Sequence, residues 1–289
     1  MIVKAPLEVL SPKSEVRSAG AGGSLFRARR RGGPGFTLIE MLVVIAIIGI
    51  LAAIAVPTMN AFKPNVTAAA TQQLLADIGR ARQLAISERT TVYMVFVPTN
   101  FWNDPSYAAL PAPEQAKADR LLDKQYIGYN FVSLRSLGDQ PGAPTTRYLS
   151  SWRVLPEGTF IPPYKFSPRN TAHWITNIIT REAFEVLGFP RTNGIPFPSE
   201  AALYAGVNAF PELPYIAFNY LGQLESDRDE VIPLSRGSVL FGRDSARKPQ
   251  KRPPSMLENP VGNSTNSAFN LVVIDRLTGR PHVERQEVQ

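Results

Sequence analysis

The chain has 289 residues, a formal net charge of +7 and no cysteine. Disulfides are therefore excluded, and two histidines far apart in sequence, His173 and His282, leave no His/Cys zinc constellation. Seven cations and two acids lie in residues 1–35, so residues 36–289 carry a side-chain charge of only +2, which weakens the case for a nucleic-acid binder.

Residues 1–35 are rich in Gly, Ser, Ala and Arg and read as a disordered leader. The leader ends in Arg27, Arg29, Arg30 and Arg31, followed by Gly35-Phe36-Thr37-Leu38-Ile39-Glu40 and an uncharged run from Met41 to Phe62. About 20 apolar helical residues cross a hydrocarbon core, so this run is long enough to span. The arginines directly before it place the N-terminus in the cytoplasm and the rest of the chain outside it. A cleaved signal peptide, with Ala53 or Ala55 imitating its cleavage site, a plain single-pass anchor and a buried core helix also accommodate an apolar run. None of these accounts for Glu40. A charge in the apolar zone costs roughly 2.5–3.5 kcal/mol on insertion scales, unless the carboxylate sits wet among headgroups.

Beyond the run, Pro64 is placed to kink the helix. Thr67 to Arg89 then reads as amphipathic, with Leu74, Leu75, Ile78, Ala81, Ala85 and Ile86 on one face and Gln72, Asp77, Arg80, Arg82 and Glu88 toward the other. One long helix from membrane to soluble domain follows from this reading. Strands are predicted over residues 90–97, 148–155, 159–161, 215–219, 231–233, 238–241 and 268–275, with a turn at 276–280 and a short return at 281–283. The pattern is an α+β domain with an antiparallel sheet.

Residues 100–214 look like an insertion. Fifteen of the 26 prolines fall between Pro98 and Pro214, which argues against a continuous sheet there. Helices are predicted over 113–124, over 171–187 ending at Gly188, and over 199–207 capped by Ser199. Trp102, Trp152, Tyr164, Phe166 and Trp174 read as insertion core. The acidic run Glu225 to Glu230, with Arg228 inside it, and the basic cluster Arg243, Arg247, Lys248, Lys251 and Arg252 read as solvated loops. No phosphate loop or Gly-x-Ser-x-Gly elbow is present, so neither a cofactor nor an enzyme activity is expected.

Gly35-Phe36-Thr37-Leu38-Ile39-Glu40 and the apolar run resemble the N-terminal signature of type IV prepilins and type II secretion pseudopilins. The resemblance implies cleavage at Gly35–Phe36 by a prepilin peptidase, N-methylation of Phe36, and pairing of the new amine with Glu40 of a neighbouring subunit. Pro57 falls where the family often carries a proline near the end of the membrane-spanning part, the expected helix kink. The implied organisation is a cytoplasmic leader (1–35), a transmembrane and assembly helix (36–62) and a periplasmic domain (63–289) with the insertion at about 100–214. Residues 74–86, 216–222 and 271–280 are similar to H-type minor pseudopilins. The resemblance thus implies a minor pseudopilin in the inner membrane, whose partners are the peptidase and other pseudopilins or pilins of a periplasmic filament. A minor type IV pilin acting in adhesion or DNA uptake is the alternative.

Overall fold

The computed structural model describes residues 36–61, 66–136, 138–140, 145–176, 183–202, 211–266 and 270–284. The leader, the junction at Pro64 and most of the predicted helix 199–207 lie outside these residues. The chain divides into two compact units, Met1–Lys63 and Pro64–Gln289. The first contains helix α1 (Leu38–Ala61), whose side chains are described as far as Leu51.

The second unit starts with helix α2 (Val66–Glu88). Strands β1 (Val92–Phe96), β2 (Gly128–Ser133), β3 (Arg147–Tyr148), β4 (Arg153–Val154), β5 (Thr159–Phe160), β6 (Ala172–Thr176) and β7 (Ala183–Leu187) follow. They are succeeded by β8 (Arg191–Thr192), β9 (Leu213–Phe218), β10 (Glu230–Leu240), β11 (Ser255–Glu258), β12 (Asn270–Ile274) and β13 (Pro281–Glu284). Short helices α3 (Pro105–Ala108), α4 (Ala112–Asp119) and α5 (Asn263–Asn266) lie between them. The fold is α+β: an N-terminal helix followed by antiparallel sheets. One sheet has the order β3-β2-β1-β9-β8 with β4 also on β2; the second joins β5, β11 and β12 to β10, with β13 on β12; β6 and β7 form a separate hairpin.

The apolar stripe of α2 buries Leu74, Ile78, Ala81 and Ala85 against Met94, Phe96, Tyr129, Phe131, Ile216 and Phe218 of the first sheet and Ile232, Leu234, Val272 and Ile274 of the second. Full burial of a Leu or Ile side chain contributes roughly 1.5–3 kcal/mol, so this stripe secures the helix. The opposite face of the first sheet is covered as well. Val95, Val97, Val132 and Leu213 pack under Phe101, Tyr107, Leu122 and Phe197. Burial on both faces explains why β1 is an unbroken apolar run rather than an alternating one.

The segment 100–214 is more sheet-like than its prolines suggest, since it supplies β2 through β8. Strand β2 was not anticipated because all six residues are buried, which removes the polar–apolar alternation. The helix expected over 171–187 is the β6–β7 hairpin. Its period is two: His173, Ile175 and Val186 turn inward to differing depths while Trp174 and Glu185 are exposed, so Trp174 is not insertion core. Gly188 follows a strand and so caps no helix; a Cβ there would lie 2.1 Å from the Ser167 carbonyl oxygen. The expected strand 148–155 is two separate pieces, β3 and β4, with Ser150 Oγ donating to Asn130 Oδ1 (2.5 Å) between them. Conversely, 231–233 and 238–241 are joined into the single strand β10 through Gly237, where a Cβ would lie 2.2 Å from the Leu257 carbonyl.

Asp77 also departs from expectation. It is buried on the sheet-facing side of α2, where Tyr129 Oη donates to Oδ2 (2.5 Å) and Arg153 Nε lies 3.0 Å away. A carboxylate is tolerated there because it is hydrogen-bonded and paired.

Candidate functional site

The sequence places its candidate site at the start of α1. Thr37 precedes the helix. Its side-chain oxygen accepts from the Glu40 N–H (3.3 Å), and its carbonyl accepts from the Met41 N–H (3.2 Å). Thr37 is thus the N-cap, and Thr37-Leu38-Ile39-Glu40 has the spacing of a capping box. This was legible in the sequence as Thr-x-x-Glu ahead of an apolar run. Glu40 lies in the first helical turn, where the positive end of the helix dipole favours a carboxylate.

Downstream of Glu40, the described part of α1 is aliphatic. Its large side chains are exposed all round the helix, from Met41 and Leu42 to Ile45, Ile48 and Leu51. A helix apolar on every side is made for an apolar surround. Among the described residues no helix is long and apolar enough to cross a membrane; the description of α1 side chains stops at Leu51, short of Pro57 and Phe62. The backbone of α1 is helical through Pro57. Gly35, on the other side of the expected cleavage bond, lies outside the described residues.

In the second unit the basic cluster is exposed, as expected of a solvated loop, and so are the charged residues of the acidic run apart from Glu230, while both segments make ionic contacts. Glu230, last of the acidic run, is buried and bonded by Lys165 Nζ, which also donates to the Leu187 carbonyl (2.9 Å). Burial pulls the Lys165 ammonium below the usual lysine range, and Glu230 opposes that shift. Arg169 reaches Asp227 (3.2 Å) and Glu230 (3.5 Å). From the basic cluster, Lys251 lies 3.6 Å from Asp119 and over the Tyr107 ring (4.6 Å to its centre), and Arg243 lies 3.9 Å from Asp123. Among the described residues, no group of three or more histidines and carboxylates could hold a metal ion.

Two turns are fastened to the C-terminal end of α2. Arg82 Nε donates to the carbonyls of Gly222 (3.1 Å) and Thr278 (2.8 Å), and the Leu224 N–H donates to the Arg276 carbonyl (3.0 Å). Gly279, at φ +61°, packs so closely that a Cβ would lie 2.0 Å from the Gly222 carbonyl oxygen.

Comparison with known proteins bears on the first of these sites. Residues 30–56 match the prokaryotic N-terminal methylation motif. The chain is type IV pilin-like. It is 34% identical over 82 residues to the type IV major pilin protein PilE1 of Neisseria gonorrhoeae, a match covering 28% of this chain and 34% of that protein. The chain thus spans about a third of the length of the curated relative it matches. No solved structure matches it. The matched segment contains both Phe36 and Glu40.

Proposed function

We propose that this pilin-like chain is the precursor of a minor pseudopilin. A prepilin peptidase cuts it between Gly35 and Phe36, Phe36 is N-methylated, and the subunit enters a short periplasmic filament of a type II secretion system. Residues 36–62 anchor it in the inner membrane, N-terminus inward and domain outward, with Pro57 bending the helix. The uncharged run from Met41 to Phe62 in the sequence supports this reading, since as a helix at about 1.5 Å per residue it would match the roughly 30 Å of a hydrocarbon core.

The observation that carries the proposal is Glu40 itself. It is the only charged residue of α1, set in a helix whose other described side chains beyond Thr37 are apolar or glycine. The amine freed at Phe36 of a neighbouring subunit supplies a counter-charge, and in low dielectric that pairing offsets the cost of each ion and fixes register. A chain of 31.8 kDa is large for a repeating shaft subunit, which favours a minor, tip-type position. The PilE1 match keeps a pilus subunit as the second reading. The side-chain charge of only +2 over residues 36–289 disfavours DNA as its partner.

Mass spectrometry of the native protein tests the processing step, with N-methyl-Phe36 expected as the first residue. An intact leader or a start after Ala53 or Ala55 would overturn the reading. Glu40→Val should insert in the membrane as well as wild type, or better, and co-purify poorly with filament partners. Equal co-purification would remove the pairing role.

A further inference from the structure

A groove of about 340 Å³ lies alongside β10, bounded by the β4–β5 connection and by residues 123–127. Within it the edge of β10 is open. Strand β5 pairs only with Ser235 and Arg236. The Gly237 N–H then donates to the Gly158 carbonyl (3.0 Å), whereas the Arg236 carbonyl accepts from the Asn259 N–H next to β11 (3.0 Å). These two groups belong to one trans peptide and point in opposite directions, so β5 and β11 flank opposite edges of β10. Strand β11 continues along Gly237 to Leu240. Residues facing a neighbour alternate along an antiparallel strand. With Arg236, Ser238 and Leu240 facing β11, the Val239 N–H and C=O face the β5 edge, and there the chain has already turned away at Gly158.

Thr159, at the end of β5, is an independent second feature. It lines the groove, is only 2% exposed, and its Oγ1 has no hydrogen-bond partner among the described residues. A desolvated hydroxyl without a partner is costly, and such a group in a cavity wall points to a ligand that satisfies it. The charges lining the groove sum to zero: Asp123, which lies 3.7 Å from Lys124 and 3.9 Å from Arg243, and Glu157 balance those two cations.

We propose that this edge receives an extended, uncharged peptide segment of another polypeptide, added to β10 where β5 leaves off. Only a peptide backbone offers a C=O for the Val239 N–H and an N–H for the Val239 C=O at strand spacing. The guest residue opposite Val239 shares its face, which packs toward Ile127 and the main core, so an apolar side chain is accepted there. The self-neutralised rim selects against a charged guest. Thr159 supplies a polar contact once the guest is seated.

The test uses the full chain in detergent micelles with the uncharged peptide acetyl-Ser-Val-Thr-Val-Ser-amide as probe, read by amide hydrogen exchange and by titration. In the free protein the Val239 amide should exchange much faster than those of Ser238 and Leu240. Saturating peptide should slow it at least tenfold and leave Leu240 unchanged. Val239→Pro removes the donor and should abolish binding. Thr159→Val, nearly the same shape, should keep the fold and its melting temperature yet weaken the peptide about fivefold. The proposal is overturned if Val239 is already protected in the free protein, if millimolar peptide has no effect, or if Thr159→Val binds as well as wild type. Protection that grows with protein concentration without peptide would also overturn it, by assigning the edge to a second copy.

Discussion

Replacing Asp77 by alanine would expose how α2 is held in register on the sheet. In the native protein the Asp77 carboxylate accepts from Tyr129 Oη at 2.5 Å and lies 3.0 Å from Arg153 Nε, and Gln73 Nε2 donates both to Tyr129 Oη (2.9 Å) and to the Val154 carbonyl (2.8 Å). Burial and the neighbouring carboxylate push the Tyr129 hydroxyl well above its ordinary range, so it remains a donor. Asp77→Ala leaves that fully buried donor without an acceptor, a cost of about 1–3 kcal/mol, and also removes a hydrogen bond to a charged group worth about 1.5–3 kcal/mol in net terms. These overlap, because the lost bond and the stranded hydroxyl are one interaction. Arg153 is about a third exposed and can be rehydrated, so its unpairing adds at most about 1 kcal/mol. The expected loss is about 3 kcal/mol. Tyr129→Phe should cost less, about 1.5 kcal/mol, because Asp77 keeps Arg153 and Gln73 keeps Val154. The double variant should fall short of the sum by at least about 1 kcal/mol, the signature of a shared bond. Urea unfolding of the full chain in detergent, followed by the three tryptophans, all of which lie beyond α2, reads this directly. A loss below about 1 kcal/mol for Asp77→Ala, or costs that add within about 0.5 kcal/mol, would refute the account.

Gly279→Ala should destabilise by more than about 2 kcal/mol, since it combines φ +61° with a Cβ 2.0 Å from the Gly222 carbonyl. Gly138→Ala, at φ +94° with nothing within 4 Å, should cost about 1 kcal/mol and is the control in the same urea titration. His173 stacks on Tyr164 (ring centres 3.8 Å apart), and burial pushes its imidazole below the ordinary histidine range. The unfolded chain therefore binds a proton there before the folded chain does. Stability should fall as pH drops below about 6.5 and level off only beneath the depressed folded value. His173→Phe, which preserves the stack, should flatten that part of a melting-temperature-against-pH curve; an unchanged slope would assign it to other groups.

The N-terminal segment was legible in the sequence because its properties are local. A basic cluster, a glycine, a lone acid and an unbroken aliphatic run need no tertiary contact to be read. The same holds for α2, whose burial repeats at helical spacing, and for β1, whose apolar run exceeds what an exposed strand would carry. Asp77 was within reach too: it lies three residues after Leu74 and four before Ala81, on the stripe itself, and the usual placement of carboxylates on the wet face concealed it. The remaining features depended on partners distant in the chain. Strand β2 shows no alternation because α2 covers one face and the segment around Phe101 and Phe197 covers the other. The β6–β7 hairpin is a strand pair only because each half supplies the other's ladder, while its composition alone also suits a helix. Likewise, whether the edge of β10 is open at Val239 depends on where β5 ends and on which side β11 lies. Sequence period and composition set each element's preference, and long-range pairing decided which preferences were realised.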